Sequence, residues 1–99
     1  MKPIHLIAGL GNPGPEYEGT RHNAGFDVVE ALASRFGATF SSERKLFAKT
    51  CRINRPENDI VLCLPQTFMN LSGKAIQATM AWYGIETNRL IVSVDDADL

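Results

Sequence analysis

The stretch Ile4-His5-Leu6-Ile7-Ala8-Gly9-Leu10-Gly11-Asn12-Pro13-Gly14 decides how this chain folds. Residues 4–10 are a short apolar run that stops at glycine, which reads as a buried strand. Residues 9–14 hold three glycines and a proline, with Pro15 just beyond. Such a segment turns the backbone out of regular structure and exposes peptide groups. Residues 11–20 therefore read as a loop. His22 and Asn23 follow it, so a titratable ring stands directly behind a glycine-rich turn.

A helical pattern begins at the end of that loop, over residues 20–36. Phe26, Val29, Ala33 and Phe36 recur every three or four residues, Leu32 widens the stripe, and Gly37 is a stop signal. Residues 48–53 and 59–64 flank Arg55-Pro56-Glu57-Asn58 and predict a hairpin. A turn centred near Glu57 sets Cys51 opposite Cys63, with both packing as small hydrophobes. Residues 65–70 form a connection. A second helix is predicted over residues 72–83, with Ile76, Met80 and Tyr83 on one stripe and Ala75, Thr79 and Trp82 close to it. Ser72 is its expected N-cap and Gly84 its stop. Residues 90–94 form a last strand, rich in β-branched side chains. Strand, helix, hairpin, helix, strand is an α/β order with a mixed sheet flanked by helices, in one domain.

Ninety-nine residues allow one small domain, and 44% hydrophobic residues allow a modest core. The net charge of −1 argues against a general nucleic-acid binder. The charge is uneven, however. Asp95, Asp96 and Asp98 crowd the end, so the rest of the chain carries ten basic against eight acidic residues. Arg35, Arg44, Lys45, Lys49, Arg52 and Arg55 share one stretch. It is either a solvated face or a phosphate-facing patch. Two cysteines are too few for a disulfide scaffold, and no signal peptide or membrane-length segment is visible. A cytoplasmic setting is the expectation. A sheet whose chain stops soon after a strand is expected to lack cover on part of one face, which points to a piece of a longer protein.

Three polar segments follow three strands: Asn12 after the first, Asn70 after the hairpin, Asp95 after the last. Ligands of open α/β sheets bind beyond the carboxyl ends of the strands. If the three run parallel, these residues gather at one edge and His22 joins them. The letters Gly9-x-Gly11-x-x-Gly14 also match a dinucleotide fingerprint. That motif needs a helix to open at once, and Pro13 and Pro15 delay it. Taken singly, each residue has a plain alternative. His22 could be a solvated histidine of a first helical turn, Asp95 the end of a strand, and Asn12 a turn former. Asn70 could begin a helix, and Phe68 could belong to the core.

The longer pattern is more specific. It runs Gly9-Leu10-Gly11-Asn12-Pro13-Gly14-x-x-Tyr17-x-x-Thr20-Arg21-His22-Asn23-Ala24-Gly25. Pro65-Gln66-Thr67-Phe68-Met69-Asn70-Leu71-Ser72-Gly73-Lys74 follows, and then Val94-Asp95-Asp96-Ala97-Asp98-Leu99. In content and order these blocks resemble the bacterial peptidyl-tRNA hydrolases, over the whole chain. The resemblance implies a single α/β domain with a mixed sheet between helices. It implies an enzyme that hydrolyses the ester between a peptide and the 3′ end of tRNA, recycling both for translation. Residues 1–99 would be the N-terminal portion of that domain, since members of the family are about twice as long.

By the same resemblance His22 is the general base, and an imidazole with an ordinary pKa of about 6.5 suits the task. Asp95 is its partner, fixing the tautomer and stabilising the imidazolium. Asn12 stands near the histidine and reads a peptide group. Tyr17, Phe68, Met69 and Asn70 form the substrate-binding set, with aromatic rings able to stack on unpaired bases. Neither cysteine is placed as a nucleophile, and a lone His22 with scattered acids is no metal-ligand set. The expectation is a monomer without metal or cofactor, whose partner is peptidyl-tRNA and not a membrane. The alternative is an inactive fragment that binds an RNA end or a nucleotide.

Overall fold

The computed structural model describes residues 2–11, 24–68 and 71–93. Its elements are β1 (Ile4–Gly9), α1 (Ala24–Arg35), β2 (Ser41–Glu43), β3 (Ala48–Ile53), β4 (Asp59–Pro65), α2 (Ser72–Tyr83) and β5 (Leu90–Ser93). Short 3-10 turns, Arg44–Leu46 and Thr87–Arg89, precede β3 and β5. The strands form one mixed sheet in the order β2-β3-β4-β1-β5. β1 pairs in parallel with β4 on one side and β5 on the other, while β2, β3 and β4 are antiparallel.

The two helices cover opposite faces. Phe26, Val29 and Ala33 of α1 pack with Cys51, Ile53, Leu62 and Leu64. Ala75, Ile76 and Met80 of α2 pack with Leu6, Ala8, Ala48, Val61 and Cys63. Alternation along a strand sends successive side chains to opposite faces. β4, apolar from Ile60 to Pro65, can therefore feed both cores at once, as a central strand must. A side chain such as Leu62, fully buried, contributes about 1.5–3 kcal/mol. β5 is an edge strand on which Ile91 remains 57% exposed.

The predicted hairpin, second helix and first and last strands are present, with several corrections. The first helix is described from Ala24; residues 20–23 of its expected span and the expected loop beyond Gly11 lie outside the described residues. The register pairs Cys51 with Leu62 and Thr50 with Cys63. The turn therefore lies half a residue before Glu57, and the cysteines do not face each other. They lie on opposite faces of the sheet, one in each core, because a one-residue slip moves a strand side chain to the other side. The expectation that both pack as small hydrophobes holds, since both are buried. Phe36 falls one residue beyond α1 and is exposed, with the Arg55 guanidinium over its ring. Ser72 is the first residue inside α2. Leu71 takes the cap position, with no side-chain hydrogen bond to offer. Trp82 lies outside the buried stripe. Gly37 and Gly84 end the helices as expected, both at positive φ, where a side chain would be strained. β2 had no signal in the sequence: Ser41-Ser42-Glu43 is polar and only three residues long.

Two contacts tie the fold together at its ends. At the amino end of β4, the buried Asp59 carboxylate accepts from Arg52 at 2.7 and 3.0 Å and from the Lys2 ammonium at 3.0 Å. The backbone N–H groups of Arg55 and Asp59 complete the junction, the latter donating to the Pro3 carbonyl. At the carboxyl end, the start of α1 lies directly on β1 and β5. A Cβ on Gly9 would run into the Gly25 carbonyl oxygen and would lie 2.6 Å from Val29 Cγ2. A Cβ on Gly25 would strike the carbonyl oxygens of Ser93 and Leu10. Leu10 N–H donates to the Ser93 oxygen at 2.9 Å, locking β5 to the end of β1.

Gly25→Ala is therefore expected to destabilise the fold by about 2 kcal/mol or more, because the obstructing atoms are backbone and cannot rotate away. Gly73→Ala, whose Cβ would meet open space, should change stability little. Urea unfolding of both variants checks this. The Arg52 and Lys2 hydrogen bonds hold Asp59 down at about 2, below the ordinary carboxylate value. A lowered folded-state pKa gives stability that is present above the unfolded value of about 4 and lost as pH falls toward 2. A pH series of melting temperatures should show this fall, and Asp59→Asn should flatten it.

Candidate active-site edge

β1 and β4 are neighbours and run the same way, yet their connections leave toward opposite faces, to α1 and to α2. A crevice forms outside the carboxyl ends of strands where connections diverge like this. Here it opens between Gly9 and Pro65, with Ser93 of β5 level with Gly9. The condition set by the sequence, that the three strands run parallel, is met. Each of the three motifs departs from this one edge.

Asn12, Tyr17, His22, Met69, Asn70 and Asp95 lie outside the described residues. Of the expected site residues, Phe68 is described. It is 55% exposed rather than part of the core, and its carbonyl accepts the Leu71 N–H at 2.8 Å. Beside it, Gln66 is tied down twice. Its side-chain amide donates to the Leu64 carbonyl at 3.1 Å, and its backbone N–H donates to the Phe47 carbonyl at 2.7 Å. Phe47 has φ +56°, a left-handed conformation uncommon for a bulky residue. Nothing in the letters around Phe47 signals that backbone, and sequence reasoning missed this residue.

The start of α2 also belongs to this edge. Its first turn has no acidic side chain and no side-chain cap, and it carries Lys74 instead. Both features leave the positive end of the helix dipole uncompensated. Among the described residues, the hydroxyl oxygens of Thr67 and Ser72 are buried there without a hydrogen-bond partner.

The remaining chemistry is structural. Burial pushes the Cys63 thiol up to about 11 and also raises Cys51, so neither is primed as a nucleophile. The Asn58 side-chain amide donates to His5 Nδ1 at 3.1 Å, at the amino end of the sheet. Among the described residues no group of three His, Cys, Asp or Glu side chains could hold a metal ion. None of the described helices is long and apolar enough to cross a membrane. A groove of about 430 Å³ lies at the opposite end of the sheet, against Lys2, Ile4, Tyr83 and the Glu86–Arg89 ion pair, away from the three motifs.

Comparison with known proteins identifies the family. The chain is 48% identical over its full length to a peptidyl-tRNA hydrolase of Xanthomonas campestris and 50% identical to one of Alteromonas mediterranea. It covers 51% of each of those proteins, so it spans about half the length of the curated relatives it matches. The crystal structure of the Acinetobacter baumannii peptidyl-tRNA hydrolase superposes on the whole chain with a TM-score of 0.90 at 41% identity, using 50% of that molecule. The family model for peptidyl-tRNA hydrolase matches residues 6–99, and the chain belongs to that family.

Proposed function

We propose that residues 1–99 form the N-terminal portion of one α/β hydrolase domain that cleaves the ester joining a peptide to the 3′ end of tRNA. The observation that carries this reading is the close approach of Gly25 to Ser93. Gly25 stands three residues after His22, and Ser93 two residues before Asp95. With about 3.8 Å between consecutive Cα atoms, segments that short allow an imidazole and a carboxylate to share one site. The family relationship supports the same pairing.

In this reading His22 removes a proton from water as the water attacks the ester carbonyl. Asp95 accepts the N–H of the other ring nitrogen, which fixes the tautomer and stabilises the imidazolium. The tetrahedral intermediate then collapses, and the imidazolium returns its proton to the departing ribose oxygen. Asn12 donates to and accepts from the peptide group nearest the ester, favouring a peptidyl over a free aminoacyl substrate. Tyr17, Phe68, Met69 and Asn70 hold the substrate, and the solvent-facing ring of Phe68 suits a stacking role. No nucleophilic side chain, metal or cofactor enters the scheme. The protein works as a cytoplasmic monomer with peptidyl-tRNA as its partner, a setting supported by two free thiols that sit on opposite faces of the sheet.

His22→Ala in the whole protein is expected to lower kcat for peptidyl-tRNA hydrolysis by about 10²–10⁴-fold, the usual weight of a general base, with KM little changed. Single-turnover release of labelled peptide measures it. An unchanged kcat would remove His22 from the mechanism and favour a binding module without turnover.

A further inference from the structure

The basic stretch of the sequence divides in three dimensions. Arg52 is neutralised by Asp59, and Arg55 lies over Phe36. Lys45 goes to α2, where its ammonium lies 3.9 Å from the centroid of the Trp82 ring. The Lys74 ammonium lies 5.4 Å from that of Phe47. Both rings face solvent, Trp82 at 58% and Phe47 at 43% exposure. Lys74, Ala78 and Trp82 follow at four-residue spacing and so share one ridge of the helix. At 1.5 Å per residue, Trp82 lies about 12 Å along the helix from Lys74. The two pairs form a strip that leaves the carboxyl edge beside Phe68 and runs down α2.

Packing does not explain this strip. Phe47 sits in a left-handed backbone and its ring is not buried in return. Trp82 is a large apolar ring left in water. Lys74 opposes the helix dipole in a first turn that has no cap. Neither α2 nor the turn Arg44–Leu46 contains an acid, and the nearest acid in sequence is Glu43. Cations set over exposed aromatic faces, with no acid among them, complement a strand of phosphates and unpaired bases. A lysine over an exposed ring is held weakly, so a phosphate can draw it away and free the ring face.

We propose that this strip is a track for the single-stranded 3′-terminal RNA of the substrate, with Lys74 and Lys45 against phosphates and Phe47 and Trp82 against bases. The inference rests on the hydrolase reading, because it takes the RNA end to lie at the carboxyl edge.

The test uses the whole protein and a short single-stranded RNA ending in CCA, with binding measured over a salt series. Each phosphate neutralised on a single strand contributes about 0.7 to the slope of log affinity against log salt. The Lys45→Ala/Lys74→Ala variant should lose about 1.4 from that slope. Trp82→Ala should weaken binding about fivefold or more, with the slope unchanged. Lys74→Glu removes the dipole conflict, so it should melt no lower than the parent while binding RNA more weakly. In turnover, the double lysine variant should raise KM more for a peptidyl ester on this RNA than for the same ester on adenosine alone. An unchanged salt slope overturns the track, and so does an equal KM rise on both esters. Binding of an acidic peptide in place of the RNA overturns it in favour of a protein partner. The slope is read on binding alone, so it decides the track whether or not His22→Ala removes hydrolysis.

Discussion

The architecture depends on one backbone-to-backbone approach. Gly9 and Gly25 let the start of α1 rest on the carboxyl ends of β1 and β5 with no side chain between them. Everything at that edge inherits its position from this contact. The approach seats Gly25 of α1 against the ends of two strands. It also fixes the end of β5 through the Leu10–Ser93 hydrogen bond, and with it the direction in which the chain leaves the sheet. A methyl group at either glycine would push the two segments apart before any catalytic chemistry was touched. Glycine supplies proximity here, which differs from its use at Gly37 and Gly84, where it supplies a positive φ.

This changes the meaning of the glycine-rich segment. A phosphate cradle needs its helix to open immediately, so that free N–H groups face the anion. In this chain Pro13 and Pro15 interrupt the segment, and a proline has no backbone N–H to offer an anion. Gly9 and Gly25, which bound the longer pattern, serve close packing. The divergence of α1 and α2 to opposite faces is the arrangement that leaves a crevice at the carboxyl ends of such strands.

Much of this was legible in the letters, for identifiable reasons. α2 reads correctly from residue 72 to 83 because its apolar positions recur at helical spacing and Gly84 stops it. The parallel relation of β1, β4 and β5 was posed as a condition, and the structure meets it. What failed were matters of a single residue. The half-residue displacement of the hairpin turn separates Cys51 from Cys63, and no local signal distinguishes the two registers. Ser72 looks like a cap, but the helix begins on it. Phe47 and Lys74 escaped notice because their meaning arises across the fold, where a left-handed phenylalanine meets the first turn of a distant helix. Letters report periodicity and turn chemistry well. They report poorly on a strained backbone held by a hydrogen bond such as that from Gln66 to the Phe47 carbonyl.

The two ends of the sheet differ in how their polar groups are paired. At the amino end, Asp59 is buried and held by Lys2, Arg52 and a backbone amide, so the buried charge there has protein partners. At the carboxyl end, among the described residues, α2 starts without a side-chain cap, the Thr67 and Ser72 hydroxyls are buried without partners, and Lys74 stands in the first turn. Unmade interactions of this kind cost stability, and a fold under no other constraint would lose them through ordinary substitution. They lie at one edge, beside exposed aromatic rings and the ends of three parallel strands. The amino end holds the sheet together through its own ion pairs, so the carboxyl edge is under less demand to pair every group within the described residues.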